Sequence, residues 1–346
     1  MTDFEPRITD AFLRGQWDEA HREAQAWEAA LSATGAVDPR PVFARNVVHL
    51  LKGEFKEAWK LHAACLHEAA DIEQVRTWVE AMVKDHPDRA NVHLVAGLFL
   101  SQSGQSEQSL ARYKEAGRLD PQSAFPAYFL AQIHERAGRT ELAIKAYREA
   151  IKLNPASTPS RTNLGVLYQH QGQLEMAIPQ YREVLKLTPD DPVAHANLGS
   201  ALAEQGKMEP ALAAYKEAIR LNPNDAEVRF AIGSLYEAKQ RLDLALKEYE
   251  AALAADPNFG AAHTAIGWIR LNKGWREEAM ESFGRALKAN PEDARAYVGV
   301  ARVYLMRGKQ QTAMENYSMA LKYEKDPEQK NKIMNDLFRE GNTWDV

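Results

Sequence analysis

Seven prolines, Pro87, Pro121, Pro155, Pro189, Pro223, Pro257 and Pro291, are spaced by 34 residues without exception. Other positions keep the same step. Gly97, Ala131, Gly165, Gly199, Gly233, Gly267 and Ala301 form one series, and Tyr113, Tyr147, Tyr181, Tyr215, Tyr249, Phe283 and Tyr317 form another. Ala143, Ala177, Ala211, Ala245, Ala279 and Ala313 form a third. A register held this long restricts the chain to an array of small units. A unit of this length cannot bury its own apolar faces, so each neighbour completes the next.

The stretch 192–225 shows what one unit is. Leu198, Gly199 and Leu202 share a face of one helix, and Ala211, Tyr215, Ala218 and Ile219 share a face of a second. Both sets follow the spacing of a 3.6-residue period. Gly206 lies between them, where a left-handed turn costs least without a Cβ. Gly104, Gly138, Gly172, Gly274 and Gly308 take the same place, and Gln240 is the exception. Asn222-Pro223 ends the second helix, because proline pushes the residue before it out of the helical region.

A 34-residue helix–turn–helix period with small, aromatic and proline positions resembles the tetratricopeptide repeat family. The match covers about residues 90–327, seven units. It departs where the family commonly has tryptophan early in the first helix, since His93, Arg161, His195 and His263 stand there. The resemblance implies an all-α fold, a right-handed superhelical solenoid of helix–turn–helix repeats. Its parts are degenerate repeat-like helices at 1–89, the seven-unit array at 90–327, and a capping helix with tail at 328–346.

The ends are irregular. Gly15-Gln16-Trp17 with Ala20 imitates a turn and second helix, and Trp17, Ala20, Ala24, Trp27 and Leu31 make an apolar stripe. Gly35 and Pro39 are expected to stop that helix, and Phe43, Val47, Leu50 and Leu51 to begin another, with Gly53, Phe55 and Ala58 as its turn and continuation. Gly53 to Gly104 is 51 residues, one and a half periods. One extra helix at 71–86 therefore shifts the phase, with Ile72, Val75, Val79 and Met82 as its face; the alternative is a small helical domain docked on the array. After Asp326-Pro327 a last helix is expected to cover the open end of the stack with Ile333, Met334, Leu337 and Phe338. The tail Gly341–Val346 is expected to fray, with Trp344 either a docking anchor or packed on the cap. Pro179 falls inside a second helix and predicts a bend, whereas Pro210 falls in a first turn and is benign.

Composition narrows the partners. The net charge of −5 and pI near 6.1, with no long run of like charge, argue against a nucleic-acid footprint. Cys65 is the single cysteine, so no intrachain disulfide forms. The opening MTDFEPRITDAF has no basic region followed by an apolar stretch, and a cytoplasmic location is expected. The longest uncharged run, Ala90–Ser106, contains Asn91, His93 and Gln102 and does not suit a membrane span.

No catalytic constellation rises from the sequence. Phosphate-binding, dinucleotide, nucleophile-elbow and zinc-protease motifs are missing, and no glutamate stands three residues before a histidine. His62 and Cys65 are two candidate ligands without a third, so they read as a polar core pair. His93, His195 and His263 recur in register and read as packing against the neighbouring helix. The expectation is a non-catalytic chain with no cofactor and no metal.

The resemblance places function on a concave inner surface that in this family binds extended peptides. The positions carried over are Phe125, Tyr128, Phe129, Gln132 and Arg136; Thr162, Asn163, Val166 and His170; Ala196, Asn197 and Ser200; Phe230, Ser234 and Glu237; and Thr264, Trp268 and Arg302. Asn163 and Asn197 are equivalent in T-N-L-G and A-N-L-G. An amide both donates and accepts, so the pair resembles a short form of the asparagine ladder in the repeat domain of O-linked N-acetylglucosamine transferase. The other reading is that these asparagines crosslink neighbouring helices. Tyr128 is read as an aromatic anchor and Phe129 as packing. The positions that clamp acidic chaperone tails hold Tyr128, Gln132, Asn163, Val193 and Asn197, of which only Asn163 fits. The expected function is an interaction scaffold for a protein or peptide partner. The alternatives are a self-assembling oligomer or a regulatory subunit of an enzyme complex such as a protein glycosyltransferase.

Overall fold

The computed structural model describes residues 4–34, 36–52, 57–58, 61 and 69–341. The regular elements of the described residues are all helices, with no strand among them, and the chain divides into two compact units, one ending at Leu187 and the other beginning at Thr188. The first holds α1 (Phe4–Arg14), α2 (Trp17–Thr34), α3 (Pro39–Lys52), α4 (Ala69–Asp85), α5 (Ala90–Gln102), α6 (Ser106–Leu119), α7 (Ala124–Arg136), α8 (Thr140–Leu153), α9 (Thr158–His170) and α10 (Leu174–Leu187). The second holds α11 (Pro192–Glu204), α12 (Met208–Leu221), α13 (Ala226–Ala238), α14 (Leu242–Ala255), α15 (Gly260–Asn272), α16 (Arg276–Ala289), α17 (Ala294–Met306), α18 (Gln310–Tyr323) and α19 (Pro327–Gly341).

From α5 onward each unit is a stack of antiparallel helix pairs, and one contact sets their spacing. A Cβ built on Gly97 would lie 2.4 Å from the Tyr113 ring, and one on Gly165 2.6 Å from Tyr181. In the second unit the same clash joins Gly233 to Tyr249 at 2.5 Å and Gly267 to Phe283 at 2.5 Å. The aromatic ring of the second helix thus fills the space that a side chain on the first would need. The turn follows its expected chemistry: Gly138 has φ +68° and Gly206 +79°. Gln240 adopts the same left-handed backbone at φ +58°, so the turn geometry is kept where its glycine is lost.

The loop between pairs carries a second recurring bond. The Nε2 atoms of His93, His195 and His263 lie 2.9, 2.9 and 3.0 Å from the carbonyl oxygens of Pro87, Pro189 and Pro257. A carbonyl only accepts, so each Nε2 carries the proton. Arg161 and Arg229 donate from Nε to Pro155 and Pro223 at 3.0 and 2.9 Å. These side chains do not simply face a neighbouring helix, as their register suggested. They hold the loop, supplying a donor to a carbonyl that proline geometry leaves outside the helix.

At the leading end, α1 and α2 form a hairpin around Gly15, with Ala20 and Ala24 fully buried. Pro39 opens α3 at its first position, where a missing amide costs nothing, rather than ending α2. The phase-shifting helix is α4: Val75, Val79 and Met82 are buried, and Trp78 Nε1 donates to Thr9 at 3.2 Å. The expectations on Gly35, Gly53, Phe55, His62, Cys65 and Trp344 lie outside the described residues. At the trailing end, α19 packs Ile333 and Leu337 on Tyr317 and Ala320. Met334 does not join them; it is 41% exposed, because it stands about 100° around the helix from Ile333, outside the narrow stripe that faces the stack. Helix α10 runs through Pro179 from Leu174 to Leu187 without interruption.

Candidate functional site

In the first unit, α7 and α9 carry the groove positions and α8 lies behind them. The Tyr147 hydroxyl of α8 donates to Glu135 at 2.7 Å and accepts from Asn163 Nδ2 at 2.9 Å. Asn163 also hydrogen-bonds the Tyr128 hydroxyl, which accepts from Gln132 Nε2 at 3.0 Å. Burial raises the pKa of both tyrosines, and the nearby Glu135 carboxylate raises each further. Both phenols therefore stay neutral and keep their protons for hydrogen bonding.

Asn163 thus does crosslink helices, through its amino group. Among the described residues its carbonyl oxygen has no hydrogen-bond partner, and it is not among the buried unpaired atoms. In the second unit Asn197, half-buried on α11, has a side-chain amide with no hydrogen-bond partner among the described residues. The side chain of Asn163 is held by its donors and open at its acceptor.

The aromatic positions divide. Tyr128 is 7% exposed, its ring 5.2 Å from that of Phe129 and 6.0 Å from that of Tyr147. Phe129 is 3% exposed and stacks on Tyr113 at 5.3 Å. Phe125 and Gln132 are half-buried, and Arg136 and His170 are exposed at the rim.

In the second unit, Ser200 reaches Glu204 at 3.3 Å and Phe230 packs on Tyr249 and Phe259. Tyr249 donates to Glu237 at 2.6 Å. Thr264 is 3% exposed and donates to Asp293 at 2.5 Å; a groove position by register, it is core by environment. Trp268 meets Phe283 edge-on at 5.6 Å, and the Arg302 guanidinium lies over the Trp268 ring at 5.2 Å. Arg302 in turn pairs with Asp336 of α19 at 2.8 Å. Trp268 and Arg302 thereby tie the terminal helix to the stack.

Two walls of the first unit's groove come from a part of the chain that has no register. A cleft of about 610 Å³ is lined by Phe129, Gln132 and Arg136 and also by Asn46 and Leu50 of α3. Asn46 is fully buried and accepts from Gln102 Nε2 at 2.6 Å. The leading helix α3 thus contributes to the lining of this face. Among the described residues no group of three His, Cys, Asp or Glu side chains converges as metal ligands, and no helix is long and apolar enough to cross a membrane.

Models described as "TPR repeat" match residues 168–206 and 199–240, and models described as "Tetratricopeptide repeat" match 124–157, 146–178, 226–259 and 264–329. Together they cover more than half of the chain. No functionally curated protein matches it in sequence. Among solved structures, a tetratricopeptide repeat protein from Parabacteroides merdae is 16% identical, with TM-score 0.58 over 73% of this chain and 99% of that one. Pseudomonas aeruginosa pilF is 20% identical, with TM-score 0.52 over 60% of this chain and 94% of its own. MamA is 28% identical over 48% of this chain and 97% of its own, with TM-score 0.44.

Proposed function

We propose, from the premise that this chain belongs to the tetratricopeptide repeat family, that it is a non-catalytic adaptor holding an extended partner segment on its first-helix faces. The repeat fold is in general a protein–protein interaction scaffold, and the finer reading rests on Asn163. Its amino group is occupied by the Tyr147 and Tyr128 hydroxyls while its carbonyl oxygen stays open. An acceptor fixed in this way meets a backbone N–H without further ordering cost. Asn197 offers the equivalent group in the second unit. Such contacts read any sequence, so the choice of partner falls to the side chains around them: Phe125, Gln132, Arg136 and His170 in the first unit, Ser200, Phe230 and Trp268 in the second.

The test is a binding titration. A peptide selected by the full chain from a random displayed library is titrated against the wild type and against an Asn163→Ala, Asn197→Ala double variant. Loss of two hydrogen bonds weakens binding by at least about fivefold. Equal affinity removes the asparagines from the site.

A further inference from the structure

A second cleft of the first unit, of about 490 Å³, lies where the first turns of α7 and α9 meet α3. Its walls include Phe125 and Tyr128, Ser123 and Asn154, and Leu50 and Leu51. No described residue lining it is charged, in a chain of which 26% is charged. Two polar groups in it have no hydrogen-bond partner among the described residues. The Ser123 hydroxyl sits at the first position before α7 but makes no capping bond. Asn154 uses its carbonyl oxygen to accept from the Ala156 amide at 3.1 Å, which leaves its amino group. Its counterpart Ser157 is spent, accepting from the Ser160 amide and bonded to the Ser160 hydroxyl.

We propose that this cleft is a subsite for an uncharged stretch of the partner segment. An apolar side chain lies against Phe125 between Tyr128 and Leu50, and the partner backbone bonds Ser123 and Asn154. The inference rests on the adaptor reading and adds to it the chemistry of the partner. A charged side chain entering this cleft gives up its water and finds no counter-charge among the described lining residues, so the cleft rejects it. An uncharged residue loses little and gains aromatic contact. Rejection of charge, more than attraction, sets the selectivity.

The experiment uses the full chain and a displayed library of random peptides. The wild type is expected to enrich peptides sharing an uncharged run with one apolar residue, and Phe125→Ala to lose them about tenfold. Ser123→Asp, which places a carboxylate in the cleft, is expected to shift the enriched set toward lysine and arginine. Circular dichroism of both variants confirms that they fold; for a variant that does not, Asn154→Asp makes the same charge test from the other wall. Enriched peptides with the library's own frequency of charged residues, or a set unmoved by Ser123→Asp and Asn154→Asp, overturn the subsite while leaving the adaptor reading intact. No enrichment at all by the wild type overturns both.

Discussion

Gly199 and Tyr215 share one volume: a Cβ on the glycine would stand 2.7 Å from the tyrosine ring. The ring is buried at 6% exposure, and the helix pair closes only because the facing position has no side chain. Gly199→Val is therefore expected to cost about 1–3 kcal/mol, through a displaced ring rather than lost contact area. The double change Gly199→Val, Tyr215→Ala should recover part of that loss. Thermal melts of the three variants measure it, and a wild-type melt for Gly199→Val contradicts the packing.

Gln240 stands where its fellow repeats have glycine, in the same left-handed turn. A side chain in that region costs roughly 1–2 kcal/mol, of which glycine's extra freedom in the unfolded chain returns part. Gln240→Gly is expected to stabilise by about 0.5–1 kcal/mol. Gly206→Gln, the converse, should destabilise by a similar amount, and denaturant titration of both checks the pair.

Burial raises the pKa of Tyr113, Tyr147 and Tyr249 above the ordinary tyrosine value, with Glu135 adding to the effect on Tyr147 and Glu237 on Tyr249. Their contribution is whole below about pH 10, where folded and unfolded phenols are both neutral. Above it the unfolded chain ionises first, and each such tyrosine removes up to about 1.4 kcal/mol per pH unit. Tyrosinate absorbance and helical circular dichroism should therefore change together on raising the pH. Full ionisation near pH 10 with helicity intact contradicts the buried network.

Pro179 is exposed and lies inside α10. It withholds a backbone donor from the helix, so Pro179→Ala is expected to stabilise by roughly 3 kcal/mol at most. An unchanged melting temperature would show that the helix has already relaxed around the proline.

The array was legible because a 34-residue register repeats the small and aromatic positions, although that the Tyr113 ring fills the space over Gly97, and Phe283 that over Gly267, came only from the structure. The groove positions were assigned by that register, which carries no information on their exposure. Thr264 can be buried because Asp293 accepts a hydrogen bond from its hydroxyl, a partner 29 residues away that periodicity does not reveal. The roles of His93 and Arg161 were hidden for a related reason, since a side chain bonding a loop carbonyl leaves no hydrophobic pattern. Asn46 and Leu50 belong to helices out of phase with the array, so no register placed them beside Phe129 and Tyr128. Met334 was misassigned because a terminal helix with one packed neighbour buries a narrower face than a helix inside the stack.

On the adaptor proposal, the first helices of the pairs, not the second, meet the partner. Hydrogen exchange of the full chain with and without a library-selected peptide decides it. Added protection in α7, α9 and α11 is the expected result. Protection confined to the outer helices, around the exposed Leu142 of α8 or Leu244 of α14, would place the partner on the opposite side and contradict the account.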